Sequence, residues 1–254
     1  SMSSSDQTEK KRYFEPTPQD IDVENFKKVL KSRRSVRKFT DKAIPAEILD
    51  DCLDLALLAP NSSNLQPWTF YVVQSAAKKK QLVKACLSQL AATTASELIV
   101  CVARTDRIDE MAKKNISEFP FPQAPDAVKK YYRFIPYNYK TGYFNALGNF
   151  KKVAFKMARQ FNKQLPVSAF NPADAKLWAS KTTALACENL VLALRAHGFD
   201  SCMMEGFDEP LVSQILALGE QQYPVMVIAA GERATDGVFF PQYRFDRDLF
   251  IQKV

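Results

Sequence analysis

The sequence predicts a mixed α+β protein, with a central, largely antiparallel sheet wrapped by helices. Short apolar runs rich in β-branched or aromatic residues at 68–73, 98–103, 201–204 and 224–230 read as strands. Between them lie longer segments whose apolar residues recur every three or four positions, as amphipathic helices require. A chain of 254 residues, 46% hydrophobic, can enclose one sizeable core, so a single domain is expected over residues 21–254.

Bulk properties narrow the function classes. Every leucine-rich stretch is interrupted by charge before it reaches the length of a membrane span. Residues 1–20 are polar, lack the apolar core of a signal peptide and read as a mobile arm, with Ser1-Met2 resembling a cloning remnant. A soluble, cytoplasmic protein is the expectation. Cys52, Cys86, Cys101, Cys187 and Cys202 form no C-x-x-C pair and lie in apolar contexts, so they read as small buried hydrophobes. With His197 as the one histidine, neither a zinc site nor a Ser-His-Asp hydrolase has its parts. The net charge of +7 raises the question of nucleic acid, but lysines such as 78–80 and 151–152 scatter over helix faces and no recognition motif occurs. The basic cluster at 27–38 is explained more economically by an anionic small molecule such as a phosphate.

Taken in order, residues 21–31 read as a helix with Val23, Phe26, Lys27 and Leu30 on its inner side. In the extended stretch that follows, Arg33, Ser35 and Arg37 alternate and so point to one side. Pro45 opens a helix to Leu58, with Glu47 and Asp50 in its first turns. Pro60 ends it and begins a polar loop, Pro60-Asn61-Ser62-Ser63-Asn64-Leu65-Gln66-Pro67, before the strand at 68–73. Amides offer donor and acceptor together, which suits a flat polar heterocycle, although an Asn-rich turn needs the same residues. Residues 76–90 read as one amphipathic helix, and 98–103 as a buried strand.

Residues 105–175 change character. Prolines break this stretch into pieces, a helical segment lies near 148–161, and residues 119–144 are dense in Phe and Tyr. So long an excursion is either a functional cover or a packing and interface insertion. Residues 178–197 form the longest clean helix, stopped by Gly198. After the strand at 201–204, Glu205-Gly206 turns the chain, Asp208 caps a helix closed by Gly219, and 224–230 is the last buried strand.

Three motifs occur in a fixed order: Arg33-Arg34-Ser35-Val36-Arg37-Lys38-Phe39, then Pro60-Asn61-Ser62-Ser63-Asn64-Leu65-Gln66-Pro67-Trp68, then Met204-Glu205-Gly206-Phe207-Asp208. Together they resemble the nitroreductase family of FMN-dependent oxidoreductases, over roughly residues 26–106 and 178–250. The resemblance implies an interlocked homodimer with two FMN sites, each built from both chains. It implies that Arg33, Ser35 and Arg37 hold the flavin's phosphate, ribityl chain and pyrimidine edge, with Arg34 either beside them or a surface charge. It assigns Pro60, Asn61, Ser62 and Ser63 to the neighbouring subunit's flavin, Asn64 and Gln66 to the pyrimidine edge, and Met204, Glu205 and Gly206 to the reactive flavin nitrogen. Where the family often ends in K-x-R, Gln242 replaces the lysine; Arg244 fits the arginine and Arg247 is a substitute. The implied reaction is ping-pong: NADPH or NADH reduces FMN, then a nitroaromatic, a quinone or a related oxidised acceptor is reduced. No separate dinucleotide fingerprint is present, in keeping with one shared pocket. Another flavin enzyme on the same scaffold, or a non-enzymatic flavin-binding protein, would carry the same motifs.

Overall fold

A computed structural model describes residues 13–254. The start of the expected N-terminal arm, Ser1-Met2 included, lies outside the described residues, and residues 13–22 have no regular structure. Helix α1 spans Val23–Ser32, α2 Ala46–Ala56, strand β1 Trp68–Val72, α3 Ala76–Ala85, α4 Leu90–Thr94 and β2 Glu97–Arg104. The excursion holds α5 (Ile108–Ser117), α6 (Asp126–Phe134), α7 (Pro136–Tyr139) and α8 (Ala146–Gln160). Helix α9 (Pro172–Ala196), β3 (Asp200–Met204), α10 (Glu209–Ile215) and β4 (Gln222–Gly231) complete the core.

The four strands pair in the order β1-β2-β4-β3, antiparallel throughout. Successive side chains of a strand face opposite ways, and here both faces are covered. Leu98, Val100 and Val102 of β2 join Val227 and Ala229 of β4 under α3, α4 and α10. Ile99 and Cys101 join Met226, Ile228 and Ala230 against α2 and α9. Cover on both faces explains why β2 and β4 read as unbroken apolar runs without polar alternation. The register slips between Cys101 and Val102, where Pro224 stands opposite Val102. A bulge there lets β4 carry a proline that has no N–H for the ladder.

Several helices depart from expectation in their bounds or their burial. Helix α9 begins at Pro172, ahead of the predicted Trp178, because Asn171 caps it by accepting the Asp174 N–H and Pro172 fits its first turn. The predicted helix over 76–90 stops at Ala85; Leu87 and Ser88 take left-handed backbone (φ 59° and 52°) before α4 begins. In α1 the expected inner side is not buried: Val23, Phe26 and Leu30 are 55%, 54% and 41% exposed. The helical periodicity holds, but the described chain leaves that stripe half exposed. All five cysteines are free and buried, as their apolar contexts predicted. No helix of the described residues is long and apolar enough to cross a membrane.

Candidate functional site

The arginine segment is fastened to the free edge of β3. Ser35 bridges Ser201 in the parallel sense, Val36 donates its N–H to the Ser201 carbonyl at 3.0 Å, and Arg37 donates its own to Gly237 at 2.7 Å. Val36 and Phe39 are buried beneath, which turns the alternate residues outward. The C-terminal stretch then folds back over the segment. Gly237 permits this close approach, since a Cβ there would lie 2.5 Å from the Lys38 carbonyl.

Between segment and tail lies a cleft of about 680 Å³ lined by Arg33, Arg34, Ser35, Arg37, Gln242 and Arg244, with apolar walls from Phe239, Phe240, Tyr243, Phe245 and Phe250. Four guanidiniums and no carboxylate line it, a charge pattern suited to a phosphate. Arg34 donates to the Phe240 carbonyl and so ties segment to tail. Arg37 Nη1 lies 3.2 Å from Cys202 Sγ; burial pushes that thiol up, and Arg37 opposes the shift. Arg247 does not line the cleft, whereas Arg244 does.

Strand β3 leads from this cleft to the Glu205-Gly206 turn, about 10 Å beyond Cys202 at the usual rise per residue. Met204 is only 2% exposed, so its side chain packs in the core and is not offered to a ligand. Glu205 and Gly206 are exposed, and neither N–H finds an acceptor among the described residues. The Glu205 carbonyl instead accepts the Phe207 N–H at 3.0 Å, a γ-turn centred on Gly206. Gly206 does not have positive φ, and a Cβ on it would meet only Gln89 Nε2, at 3.4 Å. The missing side chain leaves open space outside the turn.

The polar loop stands elsewhere. It enters β1, at the sheet edge opposite β3, and three interstrand spacings separate the two edges by roughly 14 Å. Ser63, Asn64 and Gln66 take left-handed backbone (φ 58°, 50° and 47°), a conformation that costs on the order of 1–3 kcal/mol for such residues unless neighbours enforce it. The neighbours are named side chains. Asn64 and Asn115 of α5 exchange hydrogen bonds, Nδ2 to Oδ1 at 2.9 Å and Asn115 Nδ2 to the Asn64 carbonyl at 2.8 Å. Asn61 Oδ1 accepts the Gln66 N–H at 2.9 Å, and Gln66 Nε2 donates to Asn64 Oδ1 at 3.2 Å. From α6, Tyr131 meets the Ser63 hydroxyl at 2.5 Å and Tyr132 donates to the Ser63 carbonyl at 2.9 Å. Pro60 and Ser62 remain exposed. Within one chain, therefore, Asn64 and Arg37 do not meet, because they sit on opposite sheet edges and Asn64's amide is engaged by Asn115.

Sequence reasoning missed several supports. Lys151, read as one of the scattered surface lysines, is 7% exposed and donates to the carbonyls of Tyr137, Asn138 and Lys140 at 2.8, 3.3 and 2.8 Å. Burial pushes its pKa down to about 8, with Asp174 pulling the other way. The α7 turn so held carries Tyr139, whose ring stacks on Trp178 at 3.9 Å. Burial raises the Tyr139 hydroxyl, while the nearby Ser62 and Ser63 hydroxyls oppose the shift. His197 pairs with Asp51 at 2.6 Å on the surface, a helix-to-helix contact. The Phe and Tyr density of the excursion signalled these supports in general, but nothing in the sequence pointed to Asn115, Lys151 or Gln89.

Comparison with known proteins identifies the family and the fold. The family model described as Nitroreductase family matches residues 30–232. The Bacillus subtilis protein YdgI, which carries the name NAD(P)H nitroreductase, is 26% identical over 91% of this chain and 99% of its own. An NADH dehydrogenase of Thermus thermophilus is 28% identical over 86% of this chain and 91% of its own. Among solved structures, a protein of Exiguobacterium sibiricum in complex with FMN superposes with a TM-score of 0.66 at 23% identity, covering 94% of this chain and 100% of that one. The match extends over most of the chain and includes all three motifs, so the chain belongs to the nitroreductase family.

Proposed function

We propose that the chain uses NADPH or NADH to reduce FMN and then passes the electrons to a nitroaromatic, a quinone or a related oxidised acceptor in a ping-pong cycle. One observation carries this reading. A cleft of four arginines without a carboxylate is built on the segment fastened to β3, and the same strand ends in a turn with two N–H groups unpartnered among the described residues. Bound FMN supplies the hydride acceptance and donation that no side chain here can provide. Arg33, Arg34 and Arg244 hold the phosphate, and Ser35 the ribityl chain. Arg37 offsets negative charge at the pyrimidine edge. The Gly206 N–H reaches toward the reactive nitrogen, with no Cβ in the way.

The loop from Pro60 to Gln66 cannot serve this cleft from its own chain, so we assign it to the cleft of a second copy. The half-exposed α1 stripe and the exposed tail side chains Phe239, Phe240, Leu249 and Phe250 supply apolar surface for such a homodimer. The excursion, held against that loop by Tyr131 and Tyr132, then shapes the acceptor pocket. The names of the relatives support the nicotinamide donors and a nitro compound among the acceptors.

The decisive experiment is the visible spectrum of the purified protein before and after anaerobic NADPH, then NADH. A flavin band that bleaches supports the reductive half-reaction. A bound flavin that stays oxidised with both donors overturns it in favour of a flavin-binding protein, and a protein that refuses added FMN removes the cofactor assignment. Size-exclusion chromatography with light scattering tests the dimer, and a monomer that turns over would refute the shared site.

A further inference from the structure

We infer that Gln89 is a positioning residue that sets the direction of the Gly206 N–H by holding the next peptide from behind. The inference rests on the reading of the Glu205-Gly206 turn as the part of the chain that faces the flavin.

The geometry forms a chain of constraints. Gln89 Nε2 donates to the Gly206 carbonyl at 2.7 Å and to the Cys86 carbonyl at 3.0 Å, which uses both of its hydrogens. The Gly206–Phe207 peptide is thereby held by its oxygen. Its own N–H, on Phe207, donates to the Glu205 carbonyl at 3.0 Å. That bond in turn holds the Glu205–Gly206 peptide by its carbonyl. In a planar trans peptide the N–H points opposite to the C=O, so the Gly206 N–H is aimed away from the γ-turn, on an exposed residue with no acceptor of its own. Gly206 has no side chain to restrict its rotation, so without this hold the turn would sample many directions.

The segment that presents Gln89 is built for the purpose at some expense. Leu87 and Ser88 are consecutive non-glycine residues in left-handed backbone, and Leu87 is 68% exposed, so burial of its side chain does not account for the strain. Backbone bonds from Leu87 to Lys84, Ser88 to Val83 and Gln89 to Cys86, at 3.0, 3.0 and 3.3 Å, maintain the conformation. A second fastening joins the same two regions: the Asp208 N–H donates to the Ala85 carbonyl at 2.8 Å. That bond keeps the end of α3 beside α10 whether or not Gln89 is present, so the amide is left with the narrower task of fixing the peptide.

The test compares wild type with Gln89→Ala and Gln89→Glu, the latter nearly isosteric but unable to donate from its ionised carboxylate. Amide hydrogen exchange is measured first, in protein without FMN. The Phe207 N–H should exchange about fivefold faster or more in both variants, the size of one lost hydrogen bond, while the melting temperature moves by less than about 2 °C. The proteins are then loaded with FMN. Affinity should fall less than about threefold, and the rate of anaerobic flavin reduction about fivefold or more. Unchanged exchange at Phe207 overturns the clamp. Faster exchange with unchanged reduction overturns its role toward the flavin, and loss of FMN and thermal stability in parallel shows a structural residue only. A wild type that takes up no FMN would instead refute the flavin-facing reading, and the exchange comparison would still decide the clamp.

Discussion

Replacing Asp200 should lower stability by about 3 kcal/mol, and the figure follows from its surroundings. Asp200 opens β3 with a side chain only 2% exposed. Its Oδ2 accepts from Arg195 Nη1 at 2.6 Å and from Arg233 Nε at 3.1 Å, and its Oδ1 from Arg233 Nη2 at 2.8 Å. Removing one partner of a buried pair costs about 3–5 kcal/mol, because the remaining charge loses both its partner and its water. The arginine side chains are 22% and 33% exposed and regain part of their hydration, which places Asp200→Ala near the lower end of that range. For a chain of this size each kcal/mol moves the melting temperature by about 2–4 °C, so a fall of about 6–12 °C is expected. Arg233 also donates to the Ser32 carbonyl at 3.0 Å, immediately ahead of the arginine segment, so FMN retention should fall with stability. Differential scanning calorimetry decides the matter, at fixed protein and FMN concentrations because partner and ligand binding shift the apparent midpoint. A fall below about 2 °C would show that the desolvation of Asp200 had already cancelled its pairing.

Arg37→Ala should weaken FMN binding about 10- to 100-fold, the range of a charge-assisted hydrogen bond, and unchanged FMN content after dialysis would remove Arg37 from the site. Gly206→Ala should leave the melting temperature within about 2 °C, since its Cβ meets only the Gln89 amide, yet slow flavin reduction measurably in stopped flow; equal rates would show that nothing approaches the turn closely. Lys151 has a folded pKa of about 8, below its ordinary 10.5, so between those values the unfolded chain holds more protons than the folded one. Its contribution is therefore full above pH 10.5 and lost as pH falls through 8. Lys151→Met should remove a rise of up to about 1.4 kcal/mol per pH unit from the denaturation profile in that window, and superposable wild-type and variant slopes would refute the shift.

How much of this was legible in the sequence depended on the range of the interactions involved. The strands at 98–103 and 224–230 declared themselves because cover on both faces demands continuous apolar residues, a local signal. The arginine segment declared itself through alternation: Arg33, Ser35 and Arg37 line the cleft, and Arg34, outside that alternation, joins them. Caps and breaks were harder. Asn171-Pro172 marks the start of α9, but the same proline also reads as a breaker of the excursion, and the left-handed pair Leu87 and Ser88 carries neither glycine nor proline to announce it. Val23, Phe26 and Leu30 have helical spacing, but spacing does not say which chain supplies the cover. Lys151 and Asn115 owe their roles to carbonyls and amides brought near by folding, and no local pattern encodes that.

The hold that α5 and α6 keep on the polar loop has a consequence for how proteins of this architecture can be altered. Asn115, Tyr131 and Tyr132 belong to the excursion, yet they maintain backbone angles at Ser63 and Asn64 that the loop does not favour by itself. The excursion is thus not a detachable module. A chimera that exchanges it for a relative's, to change which molecules are accepted, would also exchange the scaffold of the loop, and transplants should succeed when loop and excursion travel together as one inheritance unit.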